Sequence, residues 1–431
     1  MKKVGLIALG CAKNRVDAEV LLGILQQRGY QICNDLSVCD AAIVHTCTFI
    51  DDANTESIEA ILEAAEYKAH GHLKKLIVTG CMAQRYQKQI IESMPEVDAV
   101  LGSKSFDRIC EAIEATDGYE HYAPLSVPTP EGMRILTEKP YSVYVKVADG
   151  CSNHCSYCVI PLVRGEFDAR KYENVMAEIK DLVGRGAKEI NLIAQDTTRY
   201  ADLCRVIRET CRIDSVKWVR VLYCYPTTIR DEMLHLMAEE PKFVPYIDLP
   251  LQHASGRILK LMNRRGDDVY LRDLIAHIRS IVPDVSLRTT FITGFPKESE
   301  EDFEILKKFI KDIQFNNLGV FPYSRQEGTA AGKMRGQVPQ AVRQTRADLL
   351  MQQQQRLLRT INKQYVGNVY DVLCEGKQSH TGKYVGRAYF QAPDVDGRIL
   401  FTSDTPVEEG TFVRVRIERF RQYDLYGKRV D

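Results

Sequence analysis

Three closely spaced cysteines are the residues best suited to chemistry in this sequence. Cys151, Cys155 and Cys158 lie in the stretch VKVADGCSNHCSYCVIPLVRG, a C-x3-C-x2-C spacing with no fourth cysteine nearby. A structural zinc site normally has four protein ligands. His154 is a candidate for the fourth, but it lies inside the short loop, where bending back to the same metal is awkward. An iron–sulfur cluster with three thiolates leaves one iron open to a small ligand. The spacing therefore favours such a cluster.

A second set of cysteines is spread over the first hundred residues. Cys11 follows the apolar run LIALG, Cys47 follows AIVHT and Cys81 follows LIVTG, so each comes just past a predicted strand. In a parallel sheet the carboxyl ends of the strands share one edge, where open α/β folds bind ligands. The alternative is that these cysteines fill the edge of the core, as small apolar residues do. Their three equivalent positions favour a shared metal site.

The elements that must position these cysteines follow from the apolar pattern. From 1 to 120, short continuous apolar runs alternate with helix-like segments, which predicts a parallel sheet covered on both faces. From 135 to 332 the alternation repeats about six times, which predicts a partial (βα)6 barrel with its functional groups at the strand C-termini. A helical linker at 337–366 leads to short β-like runs at 367–431, which predict a small antiparallel β-barrel. The fold class is therefore α/β, with a β-barrel tail.

Composition limits the possible functions. The 431 residues suggest two to four domains. With 58 basic and 58 acidic residues the net charge is zero, which does not support a chain dominated by phosphate-backbone binding. No apolar run has membrane-spanning length, and the N-terminus is typical of a first core strand rather than a signal peptide. Thirteen cysteines without an export signal indicate the reducing cytoplasm.

The motif CSNHCSYC resembles the signature of the radical S-adenosylmethionine (SAM) enzymes. The resemblance implies that Cys151, Cys155 and Cys158 hold a [4Fe-4S] cluster whose open iron binds the amino and carboxylate groups of SAM. An electron from the cluster then cleaves SAM, and the resulting 5′-deoxyadenosyl radical abstracts a substrate hydrogen. Tyr157 matches the family position that packs near the adenine, although plain barrel packing explains it equally well.

The whole chain resembles the methylthiotransferases within that superfamily. Their N-terminal cysteines, which match Cys11, Cys47 and Cys81, hold a second [4Fe-4S] cluster that carries the inserted sulfur. A second SAM supplies the methyl group. The region 367–431 resembles their TRAM domain, a five-stranded substrate-binding barrel. The resemblance also implies an electron donor such as a flavodoxin or ferredoxin, and we expect a monomer with no membrane partner.

Two branches of this family differ in substrate. One modifies an adenosine of transfer RNA, and the other modifies an aspartate in the twelfth protein of the small ribosomal subunit. The stretches HTCTFIDDANTESIEAILEA, GCMAQRY, QAPDVDG and RQYDLYG resemble the second branch, and QHAS stands where the first branch has serine-glycine-serine. Residues 367–431 hold ten basic and ten acidic side chains, whereas a barrel that grips a polyanion should be basic. A ribosomal protein is the favoured substrate, and transfer RNA is the alternative.

Further site residues are expected where the barrel strands end. Gln195, Gln252 and Gly294 are candidate cofactor contacts on barrel geometry. Asp196 and His253 share these positions, and for all of them helix capping or loop structure is an equal alternative. Arg164 suits a carboxylate of cofactor or substrate, although a surface ion pair is the more common role of such a residue.

A hypothesis from another functional class assigns the same cysteines to metal binding without catalysis. The chain could be a non-catalytic iron–sulfur or zinc protein, an assembly or sensing factor that docks through its tail. Metal analysis separates the two readings. About eight irons per chain support two four-iron clusters, whereas zinc excludes the radical chemistry.

Overall fold

The computed structural model describes residues 2–431. Its first region contains a six-stranded sheet in the order β2-β1-β3-β4-β5-β6, with every neighbouring pair parallel. The strands are β1 (Lys3–Ala8), β2 (Gln31–Ile32), β3 (Ala41–Thr46), β4 (Lys75–Gly80), β5 (Ala99–Leu101) and β6 (Tyr119–His121). The helices are α1 (Ala12–Gln27), α2 (Asp51–His70), α3 (Cys81–Tyr86), α4 (Gln89–Ser93) and α5 (Ile109–Glu114).

Burial explains why the first sheet forms from continuous apolar runs. All six residues of β3 are buried, which requires cover on both faces. Alternate strand residues supply two separate apolar clusters: Ile43 and Ile77 join one, and Val44 and Val78 join the other. The parallel sheet covered on both faces is thus confirmed.

The central region holds a second parallel sheet of six strands, in the order β14-β13-β12-β11-β10-β7. Its strands are β7 (Ser142–Lys146), β10 (Glu189–Ile193), β11 (Trp218–Val221), β12 (Phe243–Asp248), β13 (Ser286–Thr293) and β14 (Asn317–Pro322), and a separate short pair is formed by β8 (Ala148–Asp149) and β9 (Asp168–Ala169). The helices are α6 (Ile160–Val163), α7 (Tyr172–Gly184), α8 (Leu203–Cys211), α9 (Asp231–Glu239), α10 (Gly256–Leu261), α11 (Asp268–Ile281) and α12 (Glu300–Ile313). Strand order follows chain order and the ends stay unpaired, so the predicted partial (βα)6 barrel is confirmed.

The two other regions pack against the central sheet. One apolar cluster joins Tyr144, Trp218 and Tyr246 of the central strands to Val16 of α1 and to Phe412 of the C-terminal region. The rings of Trp218 and Phe412 meet edge to face, with centroids 4.7 Å apart. Helix α1, which begins beside Cys11, is therefore held against the central strands.

A long helix, α13 (Gln340–Ile361), leads to the C-terminal region. There, β15 (Val369–Lys377), β16 (Tyr384–Arg387), β17 (Ile399–Thr402), β18 (Phe412–Arg421) and β19 (Asp424–Arg429) close into a barrel in the order β15-β16-β17-β19-β18. The small barrel is confirmed, but it is not wholly antiparallel because β17 and β19 run parallel. A closed ring with an odd number of strands cannot alternate direction throughout, so one parallel pair is required.

Candidate active site

The three N-terminal cysteines follow three adjacent strands of the first sheet. Cys47 comes directly after β3, Cys81 opens α3 directly after β4, and Cys11 is the N-cap residue of α1 after β1. Cys47 and Cys81 are buried, whereas Cys11 is exposed. Gly10 lies against Cys47 with φ +89°, and a Cβ at this position would lie 2.8 Å from the Cys47 sulfur. Glycine is therefore needed for the Cys11 loop to approach Cys47.

The protonation of these thiols reflects how close together they lie. Burial raises the pKa of Cys47 to about 12, and the neighbouring Cys81 and Cys11 also raise it. Burial raises the pKa of Cys81 as well, although the Arg164 guanidinium opposes this shift. Thiols with raised pKa values become thiolates when a metal displaces the proton. The set offers three sulfur donors on neighbouring loops, which is the donor type of an iron–sulfur cluster.

The second set lies in the loop between β8 and α6. The Cys158 amide donates to the carbonyl of Cys155 (3.0 Å), and the Cys151 amide donates to the carbonyl of Gly165 (3.0 Å). Burial raises the pKa of Cys158 to about 12, and Cys155 raises it further. Nη1 of Arg264 lies 3.7 Å from the Cys155 sulfur, and Nη2 donates to the carbonyl of Pro250. A fixed cation thus faces one of the three thiols.

The geometry argues against zinc at this loop. His154 is exposed, and its Nε2 lies 3.4 Å from the carboxylate of Glu166 rather than beside the cysteines. Within residues 2–431, no three His, Cys, Asp or Glu side chains surround one point as the ligands of a single ion do. In a four-iron cluster each thiolate binds a different iron, so the sulfur atoms stand further apart. His154 is therefore not placed as a fourth ligand of the triplet.

Arg164 connects the two sets of cysteines. Its Nε donates to the Cys81 sulfur (3.2 Å) and its Nη2 donates to Oδ1 of Asn14 (2.5 Å). Its Nη1 donates to Oδ2 of Asp17 (2.5 Å) and to Oδ2 of Asp149 (3.2 Å). Only 1% of Arg164 is exposed. The surface ion-pair reading is therefore wrong, because the N-terminal region covers this side chain.

Asp149 anchors the same network on the central region, two residues before Cys151. It accepts hydrogen bonds from Thr129 (2.6 Å) and from Nε2 of Gln195 (2.8 Å), and Lys146 lies 3.3 Å away. Burial alone would raise the pKa of Asp149, but Lys146 and Arg164 outweigh it and hold the pKa well below its usual range. The carboxylate stays charged. It links the loop that carries the triplet to Arg164, which contacts Cys81 of the N-terminal set.

The structure distributes the predicted cofactor contacts around this edge. Tyr157 packs in an apolar cluster with Met262 and Phe295 and interacts with Cys155. Gln195 binds Asp149, and its Oε1 is buried without a hydrogen-bond partner in the part of the chain described.

Gln252 and Gly294 lie further along the edge, after β12 and β13. Gln252 has φ +71° and bridges to Phe291. Gly294 has φ +67°, and its amide donates to Glu298 (2.8 Å), so that N–H is already occupied. Tyr157 thus lies within the triplet loop and Gln195 contacts Asp149, two residues before Cys151, while Gln252 and Gly294 follow the next strands of the same sheet.

Asp196 bonds to the loop that carries the triplet, whereas His253 has a local partner, as the loop-structure alternative expects. Asp196 accepts from Nδ2 of Asn153 (3.0 Å), and Nδ1 of His253 accepts from the amide of Ser255 (2.9 Å). Both side chains are fully buried. These bonds give the two residues a role in loop structure.

Comparison with known proteins relates these features to families. Residues 3–102 match the "Uncharacterized protein family UPF0004", residues 145–310 match the "Radical SAM superfamily", and residues 366–430 match the "TRAM domain". The radical SAM match includes the loop with Cys151, Cys155 and Cys158. The superfamily implies SAM and one [4Fe-4S] cluster.

Curated relatives extend the similarity over the full chain. "Ribosomal protein uS12 methylthiotransferase RimO" of Lachnoclostridium phytofermentans is 43% identical, covering 99% of both chains. The protein of the same name from Clostridium kluyveri is 44% identical, covering 99% of this chain and 97% of that one. The chain belongs to the RimO family of methylthiotransferases. The predicted family is thus confirmed.

Solved structures similar to this RimO family member support the fold alone. The radical SAM methyltransferase TsrM from Kitasatospora setae aligns with a TM-score of 0.55 and 14% identity over 77% of each chain. The cobalamin-dependent radical enzyme OxsB aligns with a TM-score of 0.51 and 11% identity, covering 83% of this chain and 56% of that one. Within residues 2–431 no helix has both the length and the apolar character needed to span a membrane.

Several residues at this RimO-type site escape prediction from the sequence. Lys13, Asp17, Asp149 and Arg264 take part only because the folded chain brings separate segments together. Asp149 carried the best signal, because it directly precedes the GC that begins the triplet. Asp17 and Asn14, in CAKNRVD after Cys11, lie one helical turn apart. Neither pattern could identify Arg164 as the partner.

Proposed function

We propose that this protein attaches a methylthio group to the β-carbon of an aspartate in ribosomal protein uS12. Similarity to uS12 methylthiotransferases over 99% of the chain supports the reaction and the substrate. The structural observation that carries the proposal is the buried contact between Arg164 and Cys81. It joins the loop of one cysteine set to a member of the other, which a reaction that needs both sets in one site requires.

In this proposal each cysteine set holds one [4Fe-4S] cluster. Cys151, Cys155 and Cys158 bind the cluster that reduces SAM, and Cys11, Cys47 and Cys81 bind the second. When bound, these groups and SAM supply the hydrogen abstraction, the sulfur and the methyl group that no acid–base pair can provide at an unactivated C–H bond. Three sulfur donors per set support this assignment, as do the buried positions of Cys47 and Cys81.

The contribution of the protein is binding, orientation and exclusion of water. Tyr157, Gln195, Gln252 and Gly294 are proposed to line the SAM site, where the unpaired Oε1 of Gln195 offers an acceptor. Arg164 and Asp149 hold the two sets at a fixed separation through charge-assisted hydrogen bonds. A fixed separation matters because the substrate carbon must reach both sets in one binding event.

The remaining assignments concern domains and partners. We propose functional units at 1–120, 135–332 and 367–431, joined by a linker at 337–366. A flavodoxin or ferredoxin is the proposed electron donor, since reduction of the cluster needs one electron at a time. We further propose that the protein acts as a monomer in the cytoplasm, where its ribosomal substrate is made.

The test offers two substrates at once. The anaerobically reconstituted protein, a reductant and methyl-labelled SAM are incubated with small ribosomal subunits and bulk transfer RNA, both from a strain lacking these modifications. We expect label in uS12, as a methylthio group on one aspartate, and none in transfer RNA. The Cys155→Ala variant, which lacks one thiol of the triplet, controls for label transferred without radical chemistry.

Transfer RNA belongs in that test for a structural reason. The C-terminal barrel has no net charge, but its charged side chains are unevenly distributed. One strand, β18, exposes the side chains of Arg414, Arg416, Arg419 and Arg421. An arginine stripe suits phosphate contacts. Label in transfer RNA would retain the chemistry and overturn the substrate. Label in neither, with 5′-deoxyadenosine formed, would overturn the substrate as well.

A further inference from the structure

Lys13 is a buried cation between the N-terminal cysteine set and the strand ends of the central sheet. It lies two residues after Cys11, and only 7% of it is exposed. Its Nζ lies 3.1 Å from the ring centroid of Tyr223, which follows β11 of the central sheet. Lys13 therefore extends from the N-terminal set to the strand ends of the central region.

The ammonium group has no carboxylate partner within residues 2–431, since its close contact is the aromatic ring. Burial of an unpaired ammonium is costly, and a ring face compensates for only part of the cost. Lys13 also stands in the first turn of α1, which contains no acidic residue. A cation is unfavourable there because the N-terminus of a helix is itself positive. Two unfavourable terms, unpaired burial and the helix N-terminus, therefore coincide at Lys13.

The neighbouring carboxylate does not remove this imbalance. Asp248 is close enough for Lys13 to lower its pKa, but burial prevails and the pKa of Asp248 is raised overall. Its Oδ2 already accepts from the amide of Tyr223 (3.0 Å), and Arg288 lies 3.6 Å away. Asp248 is thus engaged with other groups, and no described carboxylate forms an ion pair with Lys13.

We propose that Lys13 binds the side-chain carboxylate of the substrate aspartate and so selects an anionic substrate. This inference rests on the proposed function. The target carbon is bonded directly to that carboxylate, so an ammonium beside Cys11 fixes the carbon next to the N-terminal set. The backbone of Tyr223 has a left-handed φ of +60°, and the ring of this residue keeps the ammonium in position. Lys13 is a specificity-determining residue in this view.

The chemistry also explains discrimination against the alternative substrate class. A nucleobase is neutral and would leave the buried ammonium unpaired, whereas an aspartate completes the ion pair. A site built around a charged group rejects a neutral analogue because the buried partner is then unsatisfied. The same reasoning predicts that an asparagine at the target position of uS12 binds poorly.

The test compares two enzymes with two substrates. We would measure dissociation constants for two ligands, purified uS12 and uS12 with asparagine at the target position. Each is measured with reconstituted wild type and with Lys13→Met, in the presence of SAM and without reductant. For wild type we expect the aspartate form to bind about 10- to 100-fold more tightly. For Lys13→Met this preference should fall to about one. Lys13→Arg, which keeps the charge, should retain most of it.

Controls separate the possible causes. Lys180→Met changes an exposed lysine on α7 and should keep the wild-type preference. Iron content and circular dichroism verify folding, and Lys13→Gln repeats the measurement if Lys13→Met does not fold. An unchanged aspartate preference in the folded variant would overturn the inference. So would a loss of affinity for SAM, or a shifted cluster potential, with the preference intact.

The substrate assignment and the Lys13 inference fail in different ways. If wild type binds neither form of uS12, the proposed function fails and the inference falls with it. If wild type binds and labels uS12 but does not distinguish the aspartate and asparagine forms, the function stands and the role of Lys13 is refuted.

Discussion

The two cysteine sets reach similar arrangements by different routes. The triplet occupies positions 151–158 in one loop, so the sequence alone shows that its three cysteines lie close together. Cys11, Cys47 and Cys81 come from three loops and meet only because β1, β3 and β4 are neighbours in register. One site is therefore local, and the other exists only in the folded sheet.

The two sets also differ in where their cation comes from. Arg264, beside Cys155, belongs to the same central region as the triplet. Arg164, beside Cys81, belongs to the central region while its cysteine belongs to the N-terminal sheet. The N-terminal set is thus completed by a residue from outside its own region, which makes its formation depend on the packing of the two regions.

Two variants, each lacking one thiol of one set, should show the largest effects, and their defects should differ. Cys155→Ala should abolish formation of 5′-deoxyadenosine and retain about four irons per chain. Cys47→Ala should also retain about four irons and should still form 5′-deoxyadenosine, but should yield no methylthiolated product. Iron analysis and chromatography of the products measure both.

Cys110→Ala provides the matched control, because Cys110 lies in the N-terminal region but in neither set. It should keep about eight irons. If Cys47→Ala stops 5′-deoxyadenosine formation as completely as Cys155→Ala, the two sets are not separate centres and the comparison between them is wrong.

The contrast between local and non-local sets also explains what the sequence could predict. Apolar runs located the six long central strands and β1, β3 and β4, and so placed every site cysteine at a strand end. The short strands Gln31–Ile32, Ala99–Leu101 and Tyr119–His121 were missed, since two or three residues carry no clear period. Their pairing comes from the sheet that they extend.

The partners of charged side chains were harder to predict than the elements. Arg164 and Cys81 are far apart in the chain, and no local pattern joins them. The same holds for Lys13 and Tyr223. Such contacts depend on how regions pack, and a single sequence specifies packing through many weak apolar contacts rather than through a motif.

Removal of Arg164 should cost more stability than removal of Arg264. Arg164→Met leaves Asp17 and Asp149 buried with Lys146 as their remaining cation. Loss of one member of a buried charge network costs about 3–5 kcal/mol. Arg264→Met removes contacts to a sulfur and a carbonyl, which should cost about 1–3 kcal/mol. Thermal unfolding of the two apoproteins tests this order.

The same pair of variants distinguishes the cysteine sets. After reconstitution, Arg164→Met should lose iron mainly from the N-terminal set and still form 5′-deoxyadenosine, because its contact is to Cys81. Arg264→Met should retain the iron of the N-terminal set. Equal destabilisation and equal iron loss in both variants would mean that the N-terminal set does not depend on the central region.

Substitution of Glu189 tests whether contacts from the C-terminal barrel are needed for either cysteine set to bind iron. This buried carboxylate accepts from Nη2 of Arg387 in the C-terminal barrel (2.6 Å) and pairs with Arg220. Burial alone would raise the pKa of Glu189, but Arg387 and Arg220 outweigh it and lower the pKa to about 2. Its stabilising effect is fully present above the unfolded pKa of about 4.3 and is lost as the pH falls through about 2.

Glu189→Gln should therefore lower the stability of the apoprotein by about 3 kcal/mol at pH 7, as two units of pKa shift imply. The difference from wild type should be the same at pH 7 and pH 5, and should shrink below pH 4 as the wild-type carboxylate becomes protonated. Glu173→Gln, an exposed substitution on α7, should show no such difference. After reconstitution at neutral pH, Glu189→Gln should still hold about eight irons. Loss of iron from one set alone would show that this set, like the N-terminal set with Arg164, depends on contacts from another region.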